Sequence, residues 1–570
     1  MKRFSAIILL FLLSGYMFGL SAQTSEIEII GQDGSLSISP DIQSDIQAAA
    51  AEDEISTLVQ LSFSKEGYLD FSVDSVKIFP EKISVYVREG CRYHLESLSV
   101  ISDAEASQPA FIPVSRYEGE YFTEELLNRI SSDWLSAYDE AGFLLSEFKI
   151  SEVTKDPESC SISVSAEIVP GDEITVEGVR FEGVERNNPL FFGRVSGIRT
   201  GDRADSGLIE RGRRNLVNSG YFNDVSDGEL IFAGDDAYVL YTVEEQQLNF
   251  FDGLIGYVPD ATGSGNIAGY GDILLRNTIS DGNSIDLRYE QLQPLVSKLN
   301  VTAEQQFIGG LPLRAGVNLH FTQQDSSYLV RNMELRSGYR IFTGFEITTH
   351  VRAERSSVAD ITSGITAPAL DSRANFYGLG FSIRNTDRYR VPTRGYRSSV
   401  TLERGRRFMN DERFDDPDLQ SFSQTILRAD LRGYIPLGPR QVLAPRVETM
   451  LLESPAYLIT DLFRFGGAES IRGFREDQFR ASSAVWAELE GRYLLDRNSY
   501  LFIFGATGYY NRPQLINEAT SQFEISQQIS SLGFGLAFQS PLGIIKFSYA
   551  ISPDEDLANG KVHVGITAGL

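Results

Sequence analysis

The chain has 570 residues, too many for one ordinary domain, and a formal net charge of −27 with an isoelectric point near 4.7. That balance argues against nucleic acid as a partner. Tyr (25) and Phe (36) are plentiful, His (4) is scarce and the mean hydropathy is only −0.15, a profile that suits a β-rich protein with many turns.

The N-terminus begins with the basic Met1-Lys2-Arg3, followed by the apolar run Ile7 to Leu13 and by Ser14-Gly15. The run is too short and wrongly flanked for a stable span, so residues 1–22 read as a secretory signal peptide. Cleavage is expected near Ala22, although Leu20 is a poor residue three positions upstream, and no cysteine stands near for a lipid anchor. Beyond residue 25 no apolar stretch is long enough for a membrane helix. The two cysteines, Cys91 and Cys160, either pair in an oxidising compartment or stay as two buried thiols.

Three segments then share one pattern. Each opens on an alternating strand: Ile27 to Ile30, Leu95 to Val100, and Val179 to Gly183. Helical-period sequence follows and ends in Gly-aromatic pairs: Gly67-Tyr68, Gly142-Phe143 and Gly220-Tyr221. These glycines recur at intervals of 75 and 78 residues, which points to an array of small domains. Glycine after the last helical residue is the expected left-handed cap. Two alternating strands close each unit, the last being Ile83 to Val87, Ile162 to Ala166 and Tyr238 to Val243. The reading is three β-α-α-β-β units over 23–90, 91–171 and 172–246, each a small α+β domain. An edge strand in such a sheet can accept an extended peptide, or the array can serve as a rigid spacer.

From residue 247 to 570 the period is two. Leu313 to Phe321 alternates strictly, and so do Ile285 to Glu290, Phe345 to Glu354, Tyr396 to Glu403 and Leu427 to Arg432. A soluble sandwich would bury the apolar face between sheets; a transmembrane antiparallel β-barrel would turn it to lipid and the charges to a wet lumen. Export, strands near ten residues long, and alternation from Val562 to Leu570 favour the barrel, with about 16 strands. Within this region Phe465 to Phe474 is Gly-rich and carries one arginine, Arg472, among apolar neighbours. Alone it would pass as a hairpin loop with a solvated arginine; inside a barrel, Arg472 needs a carboxylate. In Ala487 to Tyr493, Glu488 and Glu490 fall on the face opposite Val485, Ala487, Leu489 and Tyr493. Glu490 is the first candidate partner and Glu488 the second.

With repeats, alternating region and loop in this order, the mature chain resembles the BamA/TamA superfamily of outer-membrane assembly proteins. The repeats look like POTRA domains. Ile471-Arg472-Gly473-Phe474 is similar to the family's Val-Arg-Gly-Phe/Tyr signature in the sixth surface loop. Asp387 to Gly395 resembles its Asp-x4-Pro-x-x-Gly pattern, and Ser531 to Leu536, running into Ser540 to Gly543, resembles the segment before the last hairpin. Three repeats look most like TamA, since BamA usually carries five. Ala506 stands where the family has an acidic residue, so the lock on Arg472 is expected to be weaker or wired differently, and the final aromatic is replaced by Leu570.

The resemblance implies a bacterial outer-membrane protein with periplasmic repeats that receives unfolded barrel or autotransporter-like clients and has outer-membrane lipid as a further partner. The resemblance leaves room for a periplasm-spanning, inner-membrane-anchored partner subunit docking on the repeats. The first barrel strand must close on the last, and Gly253, Gly256, Gly565 and Gly569 leave that seam with little to pack. Either the seam opens sideways to template a client strand, or the glycines relieve crowding in a curved wall. Two rival readings are a two-partner-type secretion pore, against which the three repeats count, and an outer-membrane enzyme or passive porin. No enzyme, metal or cofactor is expected: His94, His320, His350 and His563 lack metal spacing and no Gly-x-Ser-x-Gly elbow appears.

Overall fold

The computed structural model describes residues 26–31, 35–36, 43–46, 51–79, 82–102, 112–259, 265–293, 296–324, 328–342, 344–358, 369–411, 414, 416–516, 524–540, 543–553, 555–556 and 559–567. The signal-peptide reading and Gly569 fall outside them. The chain divides into two compact bodies: residues up to Ile174 with Arg203–Ser206, and Thr175–Asp202 with Gly207–Leu570.

The first body holds two repeats. In the first, β1 (Glu26–Ile30), β2 (Ser35–Leu36), α1 (Glu52–Lys65), β3 (Ser72–Ile78) and β4 (Lys82–Arg88) form a sheet of order β2-β1-β4-β3. In the second, β5 (His94–Ser102), α2 (Glu124–Glu140), β6 (Glu147–Asp156) and β7 (Ser161–Val169) give the order β5-β7-β6. First and last strands run parallel in both, β1 with β4 and β5 with β7. Helix ends follow the local chemistry. Thr123 Oγ1 accepts from Leu126 N at 3.1 Å to start α2, and Gly67 (φ +99°) and Gly142 (φ +91°) release the chain beyond α1 and α2. Where two helices are expected in the second repeat, the described part of the first is only a 3₁₀ turn, Val114–Arg116.

Cys91 and Cys160 are joined by a disulfide. It ties the segment between β4 and β5 to the start of β7, beside a polar joint in which Asp70 accepts from both Tyr93 and Lys155. Lys155, and after it Tyr93, hold the Asp70 carboxyl below its usual range, while the Tyr93 phenol is pushed up to about 12, chiefly by its bond to Asp70. Chain-entropy arguments for a bridge across 69 residues give about 4 kcal/mol, an upper bound in practice. The Cys91→Ser, Cys160→Ser variant is therefore expected to lose about 2–4 kcal/mol of protection at β5 and β7 by hydrogen exchange. Unchanged protection would show that the bridge adds nothing to the fold.

The second body joins the third repeat to the barrel. The repeat comprises β8 (Thr175–Glu182), α3 (Pro189–Ser196), β9 (Asp202–Arg203), α4 (Ser206–Ser219), β10 (Phe222–Val225), β11 (Glu229–Ala233) and β12 (Asp236–Glu245), again with β8 parallel to β12. Here the penultimate strand is split into β10 and β11, both antiparallel to β12. The break falls at Gly228, where a Cβ would stand 2.5 Å from Ile209 and 2.6 Å from Tyr241, so the kink lets α4 close on the sheet.

Sixteen antiparallel strands follow. They are β13 (Phe250–Pro259), β14 (Gly265–Arg276), β15 (Asn283–Gln293), β16 (Val296–Gln305), β17 (Leu313–Gln324), β18 (Tyr328–Phe342), β19 (Phe345–Val358) and β20 (Ser372–Thr386). After them come β21 (Gly395–Met409), β22 (Ser421–Gly438) and β23 (Gln441–Glu453). A small hairpin, β24 (Phe463–Phe465) with β25 (Phe479–Ala481), stands apart from the wall. The wall resumes with β26 (Ser483–Leu494), β27 (Tyr500–Arg512), β28 (Ile525–Ser540), β29 (Gly543–Ile551) and β30 (Lys561–Thr567). Neighbours in sequence are neighbours in space, so β13 and β30 end the strand order.

Side-chain direction settles sandwich against barrel. Tyr377, Leu379, Leu402, Leu489, Ile503 and Phe534 point outward and are exposed, while Glu403, Arg407, Gln424 and Glu490 on the same or neighbouring strands point inward and are buried. An apolar outside and a charged inside is the inverse of a soluble sandwich and the pattern of a membrane barrel.

Candidate functional site

The segment between β23 and β26 folds back into the barrel. Three glycines at positive φ, Gly466 (+112°), Gly467 (+103°) and Gly473 (+94°), make its turns. Gly466 N donates to Ser470 Oγ at 2.7 Å and Gly467 N to Ile471 O at 3.2 Å, closing the loop on itself. Ile471 and Phe474 sink into an apolar cluster with Phe465, Phe479, Trp486 and Tyr510, in which Phe465 stacks on Trp486 at 5.4 Å. Gly473 is required where it stands: a Cβ there would lie 2.9 Å from the Ser531 Cβ.

This apolar seat aims Arg472 at one strand. Its Nη2 lies 2.6 Å from Glu488 Oε1 and 2.8 Å from Glu490 Oε2, and its Nε donates to Glu488 Oε2 at 3.2 Å. Glu490 is 2 % exposed and also takes Arg492 Nε at 2.8 Å and Lys546 Nζ at 3.0 Å. A buried carboxylate held by three cations satisfies the condition under which such charges are tolerated.

The alanine at 506 is compensated by aromatic rings. Ala506 sits opposite Glu488 in the β26–β27 register, and the Arg472 guanidinium instead lies over Phe504, 3.6 Å from its centroid. Phe502 and Phe504 face Gly535 and Gly533 across β27–β28; a Cβ on either glycine would come within 2.6 Å of those rings. The Gly-Phe-Gly spacing in Ser531 to Leu536 thus leaves room for the aromatic floor beneath Arg472. The Asp387 to Gly395 motif is a turn: Asp387 Oδ1 accepts from Thr393 N at 2.8 Å and Arg394 N at 3.0 Å.

Contacts on two sides of the loop are not foreseen in the sequence. Gly473 N donates to His563 Nε2 at 3.0 Å, which fixes the proton on Nδ1 and ties the loop motif to the last barrel strand. At the other limb Arg407, 1 % exposed, bridges Glu354 Oε1 at 2.5 Å and Asp461 Oδ1 at 2.7 Å, and Gln424 Nε2 donates to Asp461 Oδ2 at 2.8 Å. The loop is therefore pinned on β21 and β22 as well as on β26 and β30. Of the four seam glycines, Gly253 and Gly256 lie on β13, and Gly565 lies on β30, where a Cβ would be 3.8 Å from Glu469 of the loop.

His563→Ala is expected to strand a half-buried N–H, costing about 1–2 kcal/mol, and to speed exchange of the Gly473 amide roughly tenfold. His563→Gln, which keeps an acceptor at the same reach, is expected to restore it. Equal exchange in both variants would leave His563 without a part in holding the loop.

The Omp85 superfamily domain matches residues 281–568, just over half of the chain. The chain belongs to the Omp85 superfamily. Solved structures similar to this Omp85 chain include CdiB from Escherichia coli, at 13% identity over 93% of this chain and 98% of that one with a TM-score of 0.48. CdiB from Acinetobacter baumannii matches at 12% identity over 82% and 87%, TM-score 0.47. BamA from Haemophilus ducreyi lacking POTRA domains 1-3 matches at 15% over 83% and 98%, TM-score 0.43. The superfamily comprises outer-membrane β-barrel proteins with assembly or transport roles.

Proposed function

We propose that this Omp85 chain is an outer-membrane assembly factor. Its periplasmic POTRA-type repeats receive unfolded barrel or autotransporter-like clients, and the seam between β13 and β30 templates their insertion. Domain limits at 23–90, 91–171, 172–246 and 247–570 and the three-repeat count underlie a TamA-like assignment within the superfamily. The observation that carries the mechanism is the Gly473–His563 bond: the loop holding Arg472 on β26 also holds β30, one side of the seam. Loop position and seam pairing are thus mechanically linked. Residues Ile471, Arg472, Gly473 and Phe474 set the loop, Glu490 and Glu488 hold it, and Gly253, Gly256 and Gly565 thin the two strands that must part.

The test is folding of an unfolded barrel client in liposomes with and without the protein. Faster client folding than in empty liposomes is expected. No acceleration with any client, together with a large steady conductance, would favour a secretion pore of the two-partner type instead.

A further inference from the structure

At the rim of the barrel that carries the third repeat lies a groove of about 780 Å³. One wall is α3 and the turn after it; the other is the end of β18 and the turn between β16 and β17. Its charge is unlike that of the chain. Arg194, Arg199, Arg211 and Arg340 line it against the single carboxylate of Glu177, in a protein of net charge −27. Arg194 and Arg199 are exposed, and among the described residues neither side chain has a carboxylate partner; Asp202 takes only the backbone N–H of Arg199. Arg194 and Arg199, each exposed and without a carboxylate of its own, gain from an anion.

The apolar surroundings say which anion. Leu190 is 77 % exposed at the mouth, and Leu311, Ile341 and Phe342 are more than half exposed on the barrel side. These residues continue the outward apolar face of the barrel down to the arginines. A ligand that covers both needs an anionic head and a hydrocarbon tail lying along the wall. Guanidinium forks suit phosphate oxygens, and the volume accommodates a headgroup.

We propose that this groove binds an anionic phospholipid of the leaflet nearest the third repeat, its phosphate between Arg194 and Arg199 and its acyl chains over Ile341 and Phe342. Bound lipid bridges the repeat to the barrel rim, fixing α3 at the membrane surface. The inference depends on the barrel spanning a bilayer and not on client insertion, so either can fail alone.

The experiment is native mass spectrometry of the full chain released from micelles holding equal phosphatidylglycerol and phosphatidylcholine. Wild type is expected to retain phosphatidylglycerol preferentially, and Arg194→Glu with Arg199→Glu to cut that preference roughly tenfold. Arg88→Glu, on the first repeat, is expected to leave it intact. Folding of each variant is checked by heat-modifiable gel mobility, and Arg194→Gln with Arg199→Gln replaces the reversal pair if that fails. Equal retention of both lipids by wild type, a preference unchanged in the double variant, or capture of inorganic phosphate without lipid preference would overturn the proposal.

Discussion

Arg472→Ala is expected to loosen the tip of the lumenal loop and to lower the rate of client folding at least tenfold, close to that of empty liposomes. The substitution removes the only cation paired with Glu488 among the described residues and one of three on Glu490. Breaking a buried ion pair costs about 3–5 kcal/mol, because the remaining charge is left without compensation. Here the lower end applies, since Arg492 and Lys546 still neutralise Glu490. The barrel should survive that loss, as its wall depends on backbone ladders; the tip of the loop should loosen, as its packing on Trp486 and the Gly473–His563 bond then hold it there without the ion pairs. Arg472→Lys is expected to recover only part of the rate. An ammonium carries the charge but cannot bond Glu488 and Glu490 as a fork while lying flat over Phe504. The check is client folding in liposomes for the three proteins side by side. Wild-type rates in Arg472→Ala would reduce the arginine to a structural ornament of the lumen.

Cross-linking β13 to β30 is expected to abolish client insertion reversibly. If a client enters by pairing with a parted seam strand, a covalent tie between those strands removes the edge it needs. Single cysteines along Phe250–Gly253 and Val562–Gly565 would be screened for the pair that oxidises, in a Cys91→Ser, Cys160→Ser background so that only the engineered bridge responds to reductant. The oxidised protein is expected to retain under about a tenth of the insertion rate and the reduced protein all of it. Full activity in the locked form would mean that the glycines serve only to relieve crowding in the wall.

Much of this was legible because period-two alternation carries direction. Once Val485 and Leu489 are placed outward, Glu488 and Glu490 must point inward, whatever the three-dimensional detail. The repeats were legible for a comparable reason, since a helix that ends needs a residue tolerant of positive φ, and Gly67, Gly142 and Gly220 mark those ends. Contacts between elements far apart in sequence left no such trace. His563 is one alternating polar residue among many on β30, and nothing local shows that it meets Gly473, ninety positions away. Asp461 likewise looks like any loop acid until Arg407 and Gln424 are seen around it. The state of Cys91 and Cys160 depended on a strand pairing, β5 with β7, that brings their segments together. The missing carboxylate at Ala506 was visible; its replacement by the Phe504 ring, with room made by Gly533, was not.

The measurement that tests the account most directly places a photoreactive residue at Val564, exposed on the last strand, and another at Val485 on the wall. Illumination during client insertion is expected to give client adducts at Val564 that vanish once the client has folded, and few at Val485. Adducts at neither position while clients still fold faster, or equal yields at both, would contradict insertion through the seam.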